Sequence, residues 1–126
     1  MSKTKISPTE LKNNLSYYSG SESFYRHPLG KFTYTDGVQY LAENAECYWL
    51  LDIIGSLNYH SDKFMEKEEF ICMDLVVKSG TTKAVFTAHD GNYNILYTQE
   101  IPFTDFPLSE IKLFYCNQTL LLPSEY

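Results

Sequence analysis

Hydrophobic positions change their period partway along the chain, and the change separates a helical part from a strand part. Between 36 and 54, Val38, Leu41, Ala42, Ala45, Tyr48, Trp49 and Ile53 recur at the spacing of one helix face. From 49 to 54 only Asp52 interrupts an apolar run, which predicts deep burial of that half. Asp36 stands at the N-cap position and Gly55 at the stop, so the pattern predicts one long central helix over 36–54. Ahead of it, Ser7 can cap, Pro8 fits the first helical position and Glu10 has capping-box spacing. A short helix over 8–17 follows, within an N-terminal helical segment of residues 1–20. Residues 20–34 read as a loop with turn pairs His27-Pro28 and Leu29-Gly30 and an extended piece at 31–34.

From Glu69 the period becomes two. Ile71, Met73, Leu75 and Val77 share one face of a strand over 70–78. Ser79-Gly80 predicts a tight turn into a strand over 82–89, and Asp90-Gly91-Asn92 a turn into one over 93–101. After a proline-bounded loop, strands follow over 111–116 and 119–122, joined at Asn117-Gln118. Consecutive strands with short loops predict an antiparallel meander of four to five strands. Its apolar face needs a cover, and the central helix is the element large enough to supply it. The expectation is a single α+β domain over 1–126.

Composition supports a folded protein. No apolar run approaches the ~18 residues of a membrane span, and the first residues carry no signal-peptide pattern, so a cytoplasmic location is expected, that of the host cell if the chain is phage-encoded. Cys47, Cys72 and Cys116 are odd in number and widely spaced, as in buried thiols of a reducing compartment. Residues 1–14 carry a net +2, leaving −8 to the rest within a total of −6. A body that acidic is repelled by phosphate backbones and suits a basic partner or plain solubility. The 11 tyrosines exceed what a core this size absorbs, and the surplus suits an interface.

Motifs for chemistry are sparse. His27, His60 and His89 have no metal-ligand spacing, so no metal and no cofactor is expected. Asp36, Asp62, Asp90 and Asp105 each fall at a turn or cap, which explains them without catalysis. The best enzymatic grouping is His27 with Asp36 or Asp52 and a tyrosine, and it falls short of a catalytic assignment. Asp52 is read as the solvent-facing slot of its helix, with Arg26, Tyr34 or a backbone amide as partner if it is buried.

Three segments carry a resemblance: TDGVQYLAE, then TQEIPFTDFPL, then the terminal LPSEY. Together they resemble an uncharacterised family of small bacterial, plasmid and phage proteins, over roughly residues 22–126. The resemblance implies one shared α+β fold and a mobile-element context. It implies no activity and no catalytic residue.

The functional expectation is a small acidic, non-enzymatic protein that binds another protein. From a mobile-element or phage context, the concrete form is an anti-CRISPR-like inhibitor of a host defence nuclease, with a basic CRISPR effector as partner and no direct binding of nucleic acid or membrane. Steric blocking would use Tyr17, Tyr18, Tyr25 and Tyr40. Nucleic-acid mimicry would use Glu43, Glu46, Glu66, Glu68 and Glu69. Two alternatives stand beside it. One is a small-ligand binder or enzyme with a pocket lined by Tyr34, Tyr48 and Trp49. The other is a homodimerising accessory domain, pairing through an edge strand at 119–122.

Overall fold

A computed structural model describes residues 7–18, 24–27, 32–59, 65, 68–92 and 94–126. Among the described residues three short α-helices and seven strands have defined bounds: α1 (Pro8–Leu15), β1 (Phe24–Arg26), β2 (Thr33–Thr35), α2 (Asp36–Asn44), α3 (Tyr48–Ser56), β3 (Phe70–Val77), β4 (Ala84–His89), β5 (Ile95–Ile101), β6 (Glu110–Cys116) and β7 (Thr119–Leu121). The strands form one sheet in the order β1-β2-β7-β6-β3-β4-β5. All neighbours are antiparallel except β2 and β7, which are parallel. No helix among the described residues is long and apolar enough to cross a membrane.

This corrects both halves of the expected architecture. The meander is overturned because β6 does not pair with β5. It returns to the far side of β3, with Leu113 opposite Met73 and Tyr115 opposite Ile71. The order β6-β3-β4-β5 is that of a Greek key. The crossing segment is fastened as it passes: the Thr104 N–H donates to the Thr82 carbonyl at 2.7 Å, and the Thr104 hydroxyl accepts the Phe106 N–H. Phe106 is buried at the crossing. β7 lies inside the sheet, between β6 and β2, so 119–122 is not an edge. Among the described residues the edge strands are β1 and β5.

The long central helix does not exist, because the chain breaks at Glu46. Ala45 closes α2, Glu46 takes a left-handed φ of 53°, and the Cys47 N–H donates back to the Ala42 carbonyl at 2.9 Å. That 6→1 bond is a Schellman ending, with glutamate where glycine is usual. The apolar stripe survives the break because α3 resumes with Leu50, Leu51 and Ile54 buried. Gly55 lies inside α3 rather than beyond it. The cap also moves by one residue. Thr35, not Asp36, is the N-cap of α2, its hydroxyl accepting the Val38 N–H. Ser7 caps α1 as expected, accepting the Glu10 N–H at 3.1 Å.

The helices and one sheet face share a single core, with Leu11, Leu41, Leu50 and Ile54 set against Ile71, Met73, Phe86 and Leu113. The C-terminal segment then locks the N-terminus of α2. The Glu125 carboxylate accepts the Thr35 hydroxyl at 2.6 Å, the Leu122 N–H at 3.0 Å and the Gly37 N–H at 3.3 Å. A carboxylate at a helix N-terminus meets the unpaired amides and positive end of the dipole. The segments TDGV and LPSEY are therefore the two halves of one clasp.

The β6–β7 turn offers a simple test of local strain. Asn117 and Gln118 have φ of 52° and 58°, the pattern of a two-residue hairpin that favours glycine second. The Gln118→Gly variant is expected to be more stable by about 1 kcal/mol, read as a higher urea midpoint at unchanged slope. An unchanged or lower midpoint would contradict the strain assignment.

Candidate protein-contact surface

α1 ends in a tight turn, with the Ser16 hydroxyl donating to the Asn13 carbonyl at 2.6 Å. The Tyr17 and Tyr18 N–H groups donate to the carbonyls of Asn14 and Leu15. Two tyrosines therefore leave the helix end side by side. Tyr18 turns onto α2, its ring centroid 5.6 Å from that of Tyr40 at a tilt of 40°. The Asn14 amide donates to the Tyr40 hydroxyl at 2.7 Å and holds that ring in place. Tyr17 stays 80% exposed beside them. Asn14, Tyr17, Tyr18 and Tyr40 line an open hollow of about 290 Å³.

Tyr25 on β1 stacks on Tyr34 of β2, with centroids 5.6 Å apart and planes 19° from parallel. The Tyr18 hydroxyl is held above its ordinary value, first by burial and then by the nearby Tyr40, Asp36, Glu125 and Tyr25. Glu43 lies exposed on α2, one turn beyond Tyr40. The fold therefore groups Tyr17, Tyr18 and Tyr40 at the α1–α2 junction, with Tyr25 on β1, which lies against α2, and with Asp36 and Glu43 on α2 itself.

The remaining glutamates expected at the surface stand on other segments. Glu46 sits in the turn between α2 and α3, and Glu68 and Glu69 stand just before β3. Glu66 lies outside the described residues. Asn14 was invisible to sequence reasoning, since nothing in a helical asparagine announces a bond to a tyrosine 26 positions away.

His27 and Asp52 do meet, and Asp36 does not join them. The His27 ring is 4% exposed, stacks on Phe32 and has Nε2 3.0 Å from Asp52 Oδ1. Asp52 is 69% exposed, the solvent-facing slot of α3. The pair ties the end of β1 to α3. A second such pair lies on β3 and β4, where His89 Nε2 is 3.0 Å from Asp74 and Lys112 Nζ 3.5 Å from the same carboxylate. His89 Nδ1 accepts the Gly91 N–H, which places the ring proton on Nε2, toward Asp74. One ring nitrogen thus ties β4 to β3 and the other holds the β4–β5 turn. In that turn the Asn94 amide and then the Asn92 N–H hold the Asp90 carboxyl below its usual range.

Tyr34, Tyr48 and Trp49 do not share the lining of either cavity described here. Tyr34 is buried in the core, Tyr48 is exposed and Trp49 packs half-buried on the core. A cavity of about 430 Å³ lies instead between α1 and β6, lined by Lys12, Leu15, Leu108, Ile111 and Pro123 among others.

Burial raises the hydroxyls of Tyr18, Tyr34 and Tyr115 above the ordinary 10.0. The folded state therefore holds these protons more tightly than the unfolded chain. Stability is fully present below pH 10.0 and falls as pH rises through the folded values. A spectrophotometric tyrosine titration of the folded protein is expected to show a class ionising above the ordinary value; one smooth titration at the ordinary value would contradict this.

No curated protein and no solved structure matches the chain. One family model does, aligning with residues 9–126, which takes in both halves of the α2 clasp and all four tyrosines of the surface. The chain belongs to DUF6876, a family of unknown function.

Proposed function

We propose that this protein acts by contact, binding another protein through the tyrosine surface at the α1–α2 junction. The carrying observation is Tyr17, 80% exposed beside a Tyr18–Tyr40 pair fixed by Asn14. Aromatic side chains already held in place lose little entropy on binding and make strong anchors. The acidic margin of Asp36 and Glu43, on a chain of net charge −6, favours a basic partner and fast encounter. A nuclease of a host defence system, in concrete form a CRISPR effector, is such a partner, and the protein would act as its inhibitor in a phage or plasmid setting.

Blocking by the tyrosines fits better than mimicry of nucleic acid, because Glu46, Glu68 and Glu69 lie on other elements than the tyrosines. The binding is therefore expected to weaken only modestly with salt. The test is co-purification with candidate effector nucleases, alongside an immunity assay in cells expressing the protein. A stable complex and lost immunity support the reading. Neither appearing across DNA- and RNA-targeting effectors would sink it. The alternative, a small-ligand binder, has the 430 Å³ cavity between α1 and β6 in its favour.

A further inference from the structure

The sheet ends on one side at β1, three residues long, and on the other at β5, seven residues long. Edge strands in soluble proteins are usually guarded by shortness, lysines, prolines or inward charges. β1 is guarded by shortness. β5 reads ILYTQEI, with no lysine or proline and one charge, Glu100. Exposed apolar side chains flank it, Ile95 at 67% and Phe103 at 72%.

The ladder fixes which backbone groups this edge offers. The Lys78 N–H donates to the Lys83 carbonyl at the head of the β3–β4 hairpin. Counting in steps of two, Ala84, Phe86 and Ala88 then turn their amides toward β5. Their register partners Ile101, Gln99 and Tyr97 turn toward β4. Thr98 and Glu100 are left with N–H and C=O pointing away from the sheet, toward no strand among the described residues.

We propose that two copies of this chain pair antiparallel along β5, about a two-fold axis at Gln99. Thr98 of each copy then faces Glu100 of the other, giving about four backbone hydrogen bonds between chains. The Thr98 hydroxyl lies beside the facing carboxylate, so neither glutamate sits directly opposite its like. The bulge between Ala88 and His89 turns Ile95 onto the outer face. There it meets Pro102 and Phe103 of the other copy, covering the exposed apolar groups at both ends of the edge. The occupant is a second copy because the strand is complementary to itself in hydrogen bonding and in its apolar ends. The interface is independent of the tyrosine surface. That surface involves β1, at the opposite edge, so a dimer would carry two contact surfaces facing apart.

Sedimentation or native mass at tens of micromolar is expected to show a concentration-dependent dimer. Thr98→Pro removes an outward N–H while sparing the β4 ladder and should weaken dimerisation by about tenfold or more. Gln99→Cys, in a Cys116→Ser background, should form an inter-chain disulfide under mild oxidation, since a non-hydrogen-bonded antiparallel pair suits that geometry. The second variant keeps the test valid should Thr98→Pro fail to fold. A chain monomeric at these concentrations overturns the proposal. So does a dimer that persists in folded Thr98→Pro, or one in which Gln99→Cys does not cross-link.

Discussion

Replacing Gly37 with alanine is expected to destabilise the protein by about 2–3 kcal/mol. A Cβ at Gly37 would lie 2.5 Å from Leu122 Cδ1 and 2.7 Å from Glu125 Oε1. Both atoms end side chains, which swing aside where nothing holds them. Here Leu122 is buried, and the Glu125 carboxylate is held by the Thr35 hydroxyl and the Leu122 and Gly37 amides. Making room therefore means opening the clasp. Glu125→Ala opens it directly, leaving the buried Thr35 hydroxyl without that acceptor, and should cost about 2–4 kcal/mol. Because both changes release the same contact, the double variant should cost well below the sum of the two. Urea unfolding of the four proteins measures this. Full additivity, or a Gly37→Ala cost below about 0.5 kcal/mol, would remove the clasp from the description of the fold.

The second large effect concerns binding. Tyr17→Ala and Tyr25→Ala together are expected to weaken partner affinity by about a hundredfold, which is near 2.7 kcal/mol. Tyr17 is 80% exposed and Tyr25 40%, so the thermal midpoint should fall only by the loss of the Tyr25–Tyr34 stack, about 1 kcal/mol, with the protein still folded. Tyr40→Phe is a finer probe. It keeps the ring beside Tyr18 and removes the hydroxyl that accepts from Asn14. A loss of severalfold is expected, through loosening of the pair rather than loss of contact area. Full affinity in the double alanine variant would place the interface elsewhere.

Strand segments were legible because alternation is local. Ile71, Met73 and Leu75 share a face in the sequence pattern and again in the sheet. Their neighbours were not legible. The crossing of β6 to the far side of β3 depends on Thr104 and Phe106 fastening a loop, and no periodicity records that. β1 and β2 are three residues each: β2 exists through pairing with distant β7, and β1 through pairing with β2. The break at Glu46 carried no signal, since it occupies the left-handed position without the usual glycine. The clasp does leave a trace, because TDGV and LPSEY are among the segments that carry the family resemblance. The tyrosine excess pointed to a surface, yet only folding brings Tyr18 to Tyr40 and leaves Glu68 and Glu69 elsewhere.

The most direct measurement is a binding titration of the purified protein against an isolated CRISPR effector nuclease, with wild type and the Tyr17→Ala, Tyr25→Ala double variant side by side. The expected result is a stable wild-type complex, little changed by salt, that the double variant loses about a hundredfold while remaining folded. Equal affinity of the two proteins, or no complex with any effector that the protein is tested against, would contradict a role exercised through this surface.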